Sequence, residues 1–192
     1  VGLITMMISS YLIIDNEVVF RLVRPILNLA WKDRYVGGEV PEEAPEDHVV
    51  LFGCHRMGRS MLFQLAKNKE KVLIVDFDPE VVRKLQEEGY RVVYADAADT
   101  DAYDQLNLSK AKMIVSTIED IKDNLLMLGE IKRRRLRISV VVDAETPEEG
   151  KKLYAAGATY VIFPHFVGGL HLGDLVKKGV FEKGDFESYR KY

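Results

Sequence analysis

The stretch Val49-Val50-Leu51-Phe52-Gly53-Cys54-His55-Arg56-Met57-Gly58 constrains the fold more than any other part of this chain. Four apolar residues run into one glycine, and a second glycine five positions later opens a helical pattern. Strand, tight turn and helix N-terminus in that order leave backbone N–H groups and the positive helix end facing an anion, typically a phosphate. The next apolar run, Val72 to Val75, ends in Asp76, a carboxylate 23 residues beyond Gly53. That is close to the roughly 20-residue spacing at which an acid reaches a ribose hydroxyl in a dinucleotide-binding fold.

From His48 onward the pattern alternates. Short β-branched runs fall at 49–52, 72–75, 91–94, 113–116, 138–142 and 160–163, and helices are expected between them at 58–69, 79–88, 100–108, 120–136 and 146–156, with another from about 168 to 178. Pro79 after Asp78, and Pro147 after Thr146, are helix-start signals, while Gly89 and Gly157 stand where helices should end. The alternation predicts an α/β fold: a doubly wound, parallel, six-stranded Rossmann-like sheet in the order 3-2-1-4-5-6, covered on both faces. A ligand would then lie over the carboxyl ends of strands 1 and 4, where Gly53 and Ser116-Thr117 sit.

Residues 1–14 carry no charge, and Arg21, Arg24, Lys32 and Arg34 follow them. Fourteen helical residues reach about 21 Å, short of the roughly 30 Å hydrocarbon core of a bilayer. Two readings stand: the end of a transmembrane helix that begins upstream, or a buried or interfacial helix. In the first, the trailing basic residues place everything after about residue 15 on the cytoplasmic side of the cell membrane. Apolar positions spaced by three and four over 17–31 continue a helical face that Pro25 would kink, and Trp31 suits either a membrane interface or a core. Residues 35–48 hold two prolines, paired glycines and five acids, the composition of a solvated linker. The organisation read from the sequence is therefore 1–34 membrane-helix end plus juxtamembrane helix, 35–48 linker, 49–178 nucleotide-binding domain and 179–192 tail. A net charge of −3 argues against a general nucleic-acid binder, and the single cysteine excludes an internal disulfide. The basic run Lys132–Arg137 sits where it complements a helix C-terminus.

The candidate binding residues are Gly53, Cys54, His55, Arg56, Met57, Gly58, Asp76, Phe77, Asp78, Asp96, Ala97, Ser116 and Thr117. His55 occupies the place of the fingerprint's second glycine; it either contacts phosphate or bars a full dinucleotide in favour of a mononucleotide. Arg56 suits bidentate phosphate contact, or an intersubunit salt bridge. Asp76 is expected on the ribose, which favours NAD over NADP, and Asp78 as a helix cap. Asp96 ends the third strand and could face the adenine. Ser116 and Thr117 either touch phosphate or cap the next helix. Cys54, beside a helix N-terminus expected to lower its pKa, is a redox sensor or a small packing residue. His48, His165 and His171 show no metal-ligand spacing, so no metal is expected. No acid–base group with a substrate pocket is evident after the sixth strand, so the reading is not an enzyme.

Gly53-x-His55-Arg56-x-Gly58, Asp76, Tyr94-Ala95-Asp96-Ala97, Ile114-Val115-Ser116-Thr117 and Phe163-Pro164 together resemble the N-terminal lobe of an RCK (TrkA-N) domain. The opening, Gly2 to Glu17, resembles the last transmembrane helix of Kef-like monovalent cation:proton antiporters. The resemblance implies a ligand-controlled regulator of K+ or Na+/proton antiport, working as a homodimer through the RCK domain and joined to its own membrane transport domain upstream. It further implies binding of NAD(H) or an adenine mononucleotide (AMP, ADP or ATP): Gly53, His55, Arg56 and Gly58 on phosphates, Asp76 on ribose, Asp96 on the adenosine side. The same module in a potassium channel or uptake system, and a free-standing NAD-dependent oxidoreductase, are the alternatives.

Overall fold

A computed structural model of the protein describes residues 45–67 and 71–179. The expected membrane-helix end, the juxtamembrane segment with Pro25 and Trp31, linker residues 35–44 and tail residues 180–192 lie outside the described residues. In chain order the elements are β1 (His48–Phe52), α1 (Arg56–Lys67), β2 (Val72–Asp76), α2 (Pro79–Glu87), β3 (Arg91–Tyr94), 3-10 turns over Thr100–Leu106 and Leu108–Lys110, β4 (Ala111–Ser116), α3 (Ile121–Arg133), β5 (Ser139–Asp143), α4 (Pro147–Ala156), β6 (Tyr160–Ile162) and α5 (Pro164–Lys177). The six strands form one sheet in the order 3-2-1-4-5-6, as expected, and every neighbouring pair is parallel.

Strand alternation sorts the apolar residues into two cores. Val49, Leu51 and Ile74 face Leu62 of α1 and Val82 and Leu85 of α2. Val50, Phe52, Leu73, Ile114 and Val142 face the other way, onto Tyr103 and Leu106, Met127 and Leu128 of α3 and Leu153 of α4. Each such side chain contributes about 1.5–3 kcal/mol when fully buried. β1 is buried along its whole length because it lies in mid-sheet between both layers. The helix starts follow the sequence signals: the Asp78 side chain accepts from the backbone of Glu80 and Val81, and Thr146 and Glu149 form a reciprocal capping box.

Three expectations need correction. Residues 100–108 form 3-10 turns rather than an α-helix. Tyr103 and Leu106, three apart, share the buried face that a three-residue turn eclipses, the Tyr103 hydroxyl donates to Ala97 O (2.8 Å), and Asn107 in the left-handed region ends the run. The last helix starts at Pro164 rather than near 168: a proline at the first helical position has no amide to leave unpaired and arrives with helical φ. His48 belongs to the sheet rather than to a solvated linker; it is fully buried, and its Nε2–H donates to Leu106 O (3.0 Å). Just before it, Asp47 N donates to Lys110 O and Glu46 pairs with Lys110, so the chain reaches β1 already attached to the sheet.

The basic run after α3 is partly absorbed by the fold. Arg133 and Arg134 converge on the buried Glu130 carboxylate, which they hold down at about 2, and Arg134 also reaches Asp104 and the Tyr103 ring. No helix among the described residues is long and apolar enough to cross a membrane.

Candidate functional site

β1 ends at Gly53, whose φ of +78° a side chain would oppose. Gly53 N donates to Val75 O (2.9 Å), Thr117 N donates to Phe52 O (2.9 Å), and the Thr117 hydroxyl donates to Gly53 O (2.9 Å). The turn is thereby bound to both neighbouring strands. α1 then leaves so close to the turn that a Cβ on Gly58 would stand 2.2 Å from Gly53 O. Only glycine at 58 lets the helix N-terminus come down onto the strand ends. No acidic residue occupies the first turn of α1, so no carboxylate of the helix itself neutralises its positive end.

Asp76 is 3% exposed and braces the same corner. Its Oδ2 accepts from Cys54 N (2.7 Å) and its Oδ1 from Asp78 N (2.9 Å). One carboxylate thus joins the loop after β1 to the loop after β2. An ionised carboxylate has about four acceptor positions, so two remain for a ligand hydroxyl.

Above these loops lies a cavity of about 670 Å³, within the usual range for small-molecule sites. Gly53, His55 and Arg56 line it from the first loop, Asp76 and Phe77 from the second, Ala95 and Ala97 from the third, and Thr117, Ile118, Glu119, Asp120 and Asp123 from the loop and helix after β4. Seven of the proposed residues are therefore brought together: Gly53, His55, Arg56, Asp76, Phe77, Ala97 and Thr117. The other six stand outside the wall. Gly58 packs on the Gly53 carbonyl, Met57 is half-buried on α1, and Asp78 caps α2. Asp96 is exposed and accepts from Ala98 N (2.9 Å), and Ser116 is buried with its Oγ accepting from Ile118 N (3.3 Å).

Cys54 corrects an expectation. Its thiol is buried in the α1/α2 core, and that burial pushes its pKa up to about 11, overriding any lowering by the nearby helix end. Arg56 pairs with Glu119 of the same chain (3.0 Å), both side chains being largely exposed, at 91% and 70%. Such a pair contributes at most about 1 kcal/mol, so the guanidinium can exchange it for a phosphate.

Ile118, Glu119, Asp120 and Asp123 were missed in the sequence. Only Asp120, placed three residues before Asp123 at a helix start, carried a readable signal, and that signal was capping: it accepts from Lys122 N (2.7 Å). Burial, then the charges of Asp120 and Asp96, pushes the Asp123 carboxyl upward. Among the described residues no group of three or more His, Cys, Asp or Glu is arranged to hold a metal ion.

The lining combines three kinds of group. The α1 end with Arg56 offers positive charge, Asp76, Glu119, Asp120 and Asp123 offer carboxylate acceptors, and Phe77, Ala95, Ala97 and Ile118 offer apolar surface. Those groups suit a phosphate, a sugar and a flat base.

The family model for the TrkA-N domain matches residues 49–164. The glutathione-regulated potassium-efflux system protein KefC of Cronobacter sakazakii is 25% identical over 135 residues, covering 70% of this chain but 22% of the relative. This chain thus spans about a fifth of the length of the curated relatives it matches. Two solved structures share the fold. The NAD(P)-binding domain of an exopolyphosphatase-related protein from Archaeoglobus fulgidus has a TM-score of 0.63 and 26% identity, covering 69% of this chain and 98% of that one. The Kef CTD of Shewanella denitrificans in its AMP bound form has a TM-score of 0.61 and 19% identity, covering 74% and 91%.

Proposed function

Since this chain belongs to the TrkA-N domain family, we propose that it is the nucleotide-sensing regulatory domain of a monovalent cation/proton antiporter, a regulator rather than a catalyst. The observation that carries the proposal is the cavity over β1, β2 and β4, where Arg56 and His55 at the α1 N-terminus share one wall system with the Asp76 carboxylate. The phosphate of an adenine nucleotide lies against the α1 N-terminus and its ribose hydroxyls donate to Asp76. The ligand is AMP, ADP, ATP or NAD(H). The solved relatives described as NAD(P)-binding and AMP bound support that range, and the likeness to a potassium-efflux protein supports the transport context.

In this reading the domain lies on the cytoplasmic side of the cell membrane, joined through residues 35–48 to its own transport domain, and acts as a homodimer. α5 supports the dimer. Phe166, Leu170, Leu172 and Val176 on it are all more than half exposed, an apolar surface that a second copy would cover. Regulation requires the nucleotide to bind two arrangements of that dimer unequally, because equal affinity shifts nothing. The anchoring of Glu46, Asp47 and His48 on the sheet makes β1, which carries Gly53, the first element to feel the linker.

Thermal unfolding of the chain with AMP, ADP, ATP, NAD and NADH tests the reading. Binding to the folded state raises stability by about 2.7 kcal/mol at a hundredfold excess over Kd. At least one of the five should do so, and Asp76→Ala should weaken it by about 1–3 kcal/mol. A flat response to all five would refute the nucleotide assignment.

A further inference from the structure

Four carboxylates line the cavity, and three of them are engaged. Asp76 accepts from Cys54 N and Asp78 N, Asp120 accepts from Lys122 N, and Glu119 pairs with Arg56. Asp123 in the first turn of α3 forms no hydrogen bond or ion pair among the described residues, although it is half-buried. Its electrostatic neighbours are Asp120, Asp96 and Lys122, which places it toward the end of β3, where Ala95 and Ala97 form the wall. It lines the same cavity as Ala95 and Ala97. Apolar walls accept any flat base alike; discrimination needs a polar group left unpaired until the right partner arrives.

Building on the nucleotide reading above, we propose that Asp123 selects the base, its carboxylate accepting a hydrogen bond from the exocyclic amine of a 6-amino purine. An ionised carboxylate is acceptor-only. A 6-oxo purine presenting the same edge would turn an oxygen toward it, acceptor against acceptor in a partly desolvated site. The same charge repels a phosphate from this position. Burial has already raised its proton affinity, which a donated amine hydrogen would oppose by favouring the ionised form.

AMP and inosine monophosphate differ at this one edge, so the test is their calorimetric titration into the 192-residue chain, wild type and Asp123→Asn. The wild type should prefer AMP by about tenfold or more, the range of a hydrogen bond to a charged group. Asp123→Asn supplies donor and acceptor together, and the preference should fall to within about threefold. Asp76→Ala should weaken both ligands alike and leave their ratio unchanged. Equal affinities in the wild type, or a preference retained in Asp123→Asn, would overturn the assignment to Asp123 while the nucleotide site stands. Failure of both ligands to bind the wild type would overturn the site itself, and Asp123 with it. The wild-type ratio decides even if the variant folds poorly.

Discussion

Helices α4 and α5 both follow a strand and both begin on a proline, yet one is sealed into the fold and the other buries nothing. α4 is fixed at each end, by the Thr146–Glu149 capping box and by the left-handed Gly157. Between them Gly150 lies so close to Phe163 that a Cβ there would stand 2.6 Å from the ring, and Leu153 is fully buried. α5 is the more apolar of the two, but Phe163 caps it with no side-chain hydrogen bond and none of its residues is buried. The difference lies in what the two helices meet. α4 is polar except along one narrow stripe, and Phe163 and the core shared by α3 and the sheet fill that stripe. α5 spreads its apolar residues around its surface and has three glycines with open space beside them. Apolar content says that a helix needs a partner; it does not say that the same chain supplies one.

The largest effect should come from breaking the sealed helix. Leu153→Ala leaves a cavity between α4 and the sheet and should cost about 2–5 kcal/mol, read as a lower denaturant midpoint at unchanged slope. A cost below about 1 kcal/mol would mean that α4 is not packed as described.

A smaller effect is expected just before α4, at the end of β5. Asp143 is half-buried, and one of its carboxylate oxygens is buried without a partner. Burial first, then the charges of Glu119, Glu145 and Glu149, pushes its pKa up to about 6. The fold holds this proton more tightly than the unfolded chain does, so stability is lost as pH rises from about 4 to about 6 and the penalty is complete above that. Asp143→Asn should stabilise the protein by roughly 1–2 kcal/mol at pH 7.5 and have little effect near pH 4. A stability gain independent of pH would show that ionisation of Asp143 is not its source.

The same contrast explains what could be read from the sequence. Everything set by local periodicity was legible: six strands, their order through the right-handed crossovers, the caps at Asp78 and Thr146, and Gly53, Asp76 and Thr117 at one edge. What needed the third dimension was not. The 3-10 geometry at 100–106 is imposed by Tyr103 reaching the Ala97 carbonyl and lying against Phe52, contacts that no spacing reveals. Asp96, expected to face the adenine, is exposed just after β3, with one carboxylate oxygen accepting from Ala98 N in its own turn. Asp123 drew no reading from the sequence, and only the loop packing brings it to the cavity.

The smallest stability effect should come from α5, where the consequence lies instead in assembly. Leu170 is 58% exposed, so Leu170→Glu removes little from the fold of a single chain and should change its stability by no more than about 0.5 kcal/mol. If a second copy covers this surface, the same substitution puts a charge into an apolar seam, where an unpaired carboxylate is expensive. Sedimentation should then find a dimer for the wild type and a monomer for Leu170→Glu at the same concentration. Thermal stability of the wild type should rise with protein concentration, because association favours the folded state, and that of the variant should not. A variant that dimerises like the wild type would place the interface elsewhere, and α5 would need a different partner for its apolar face.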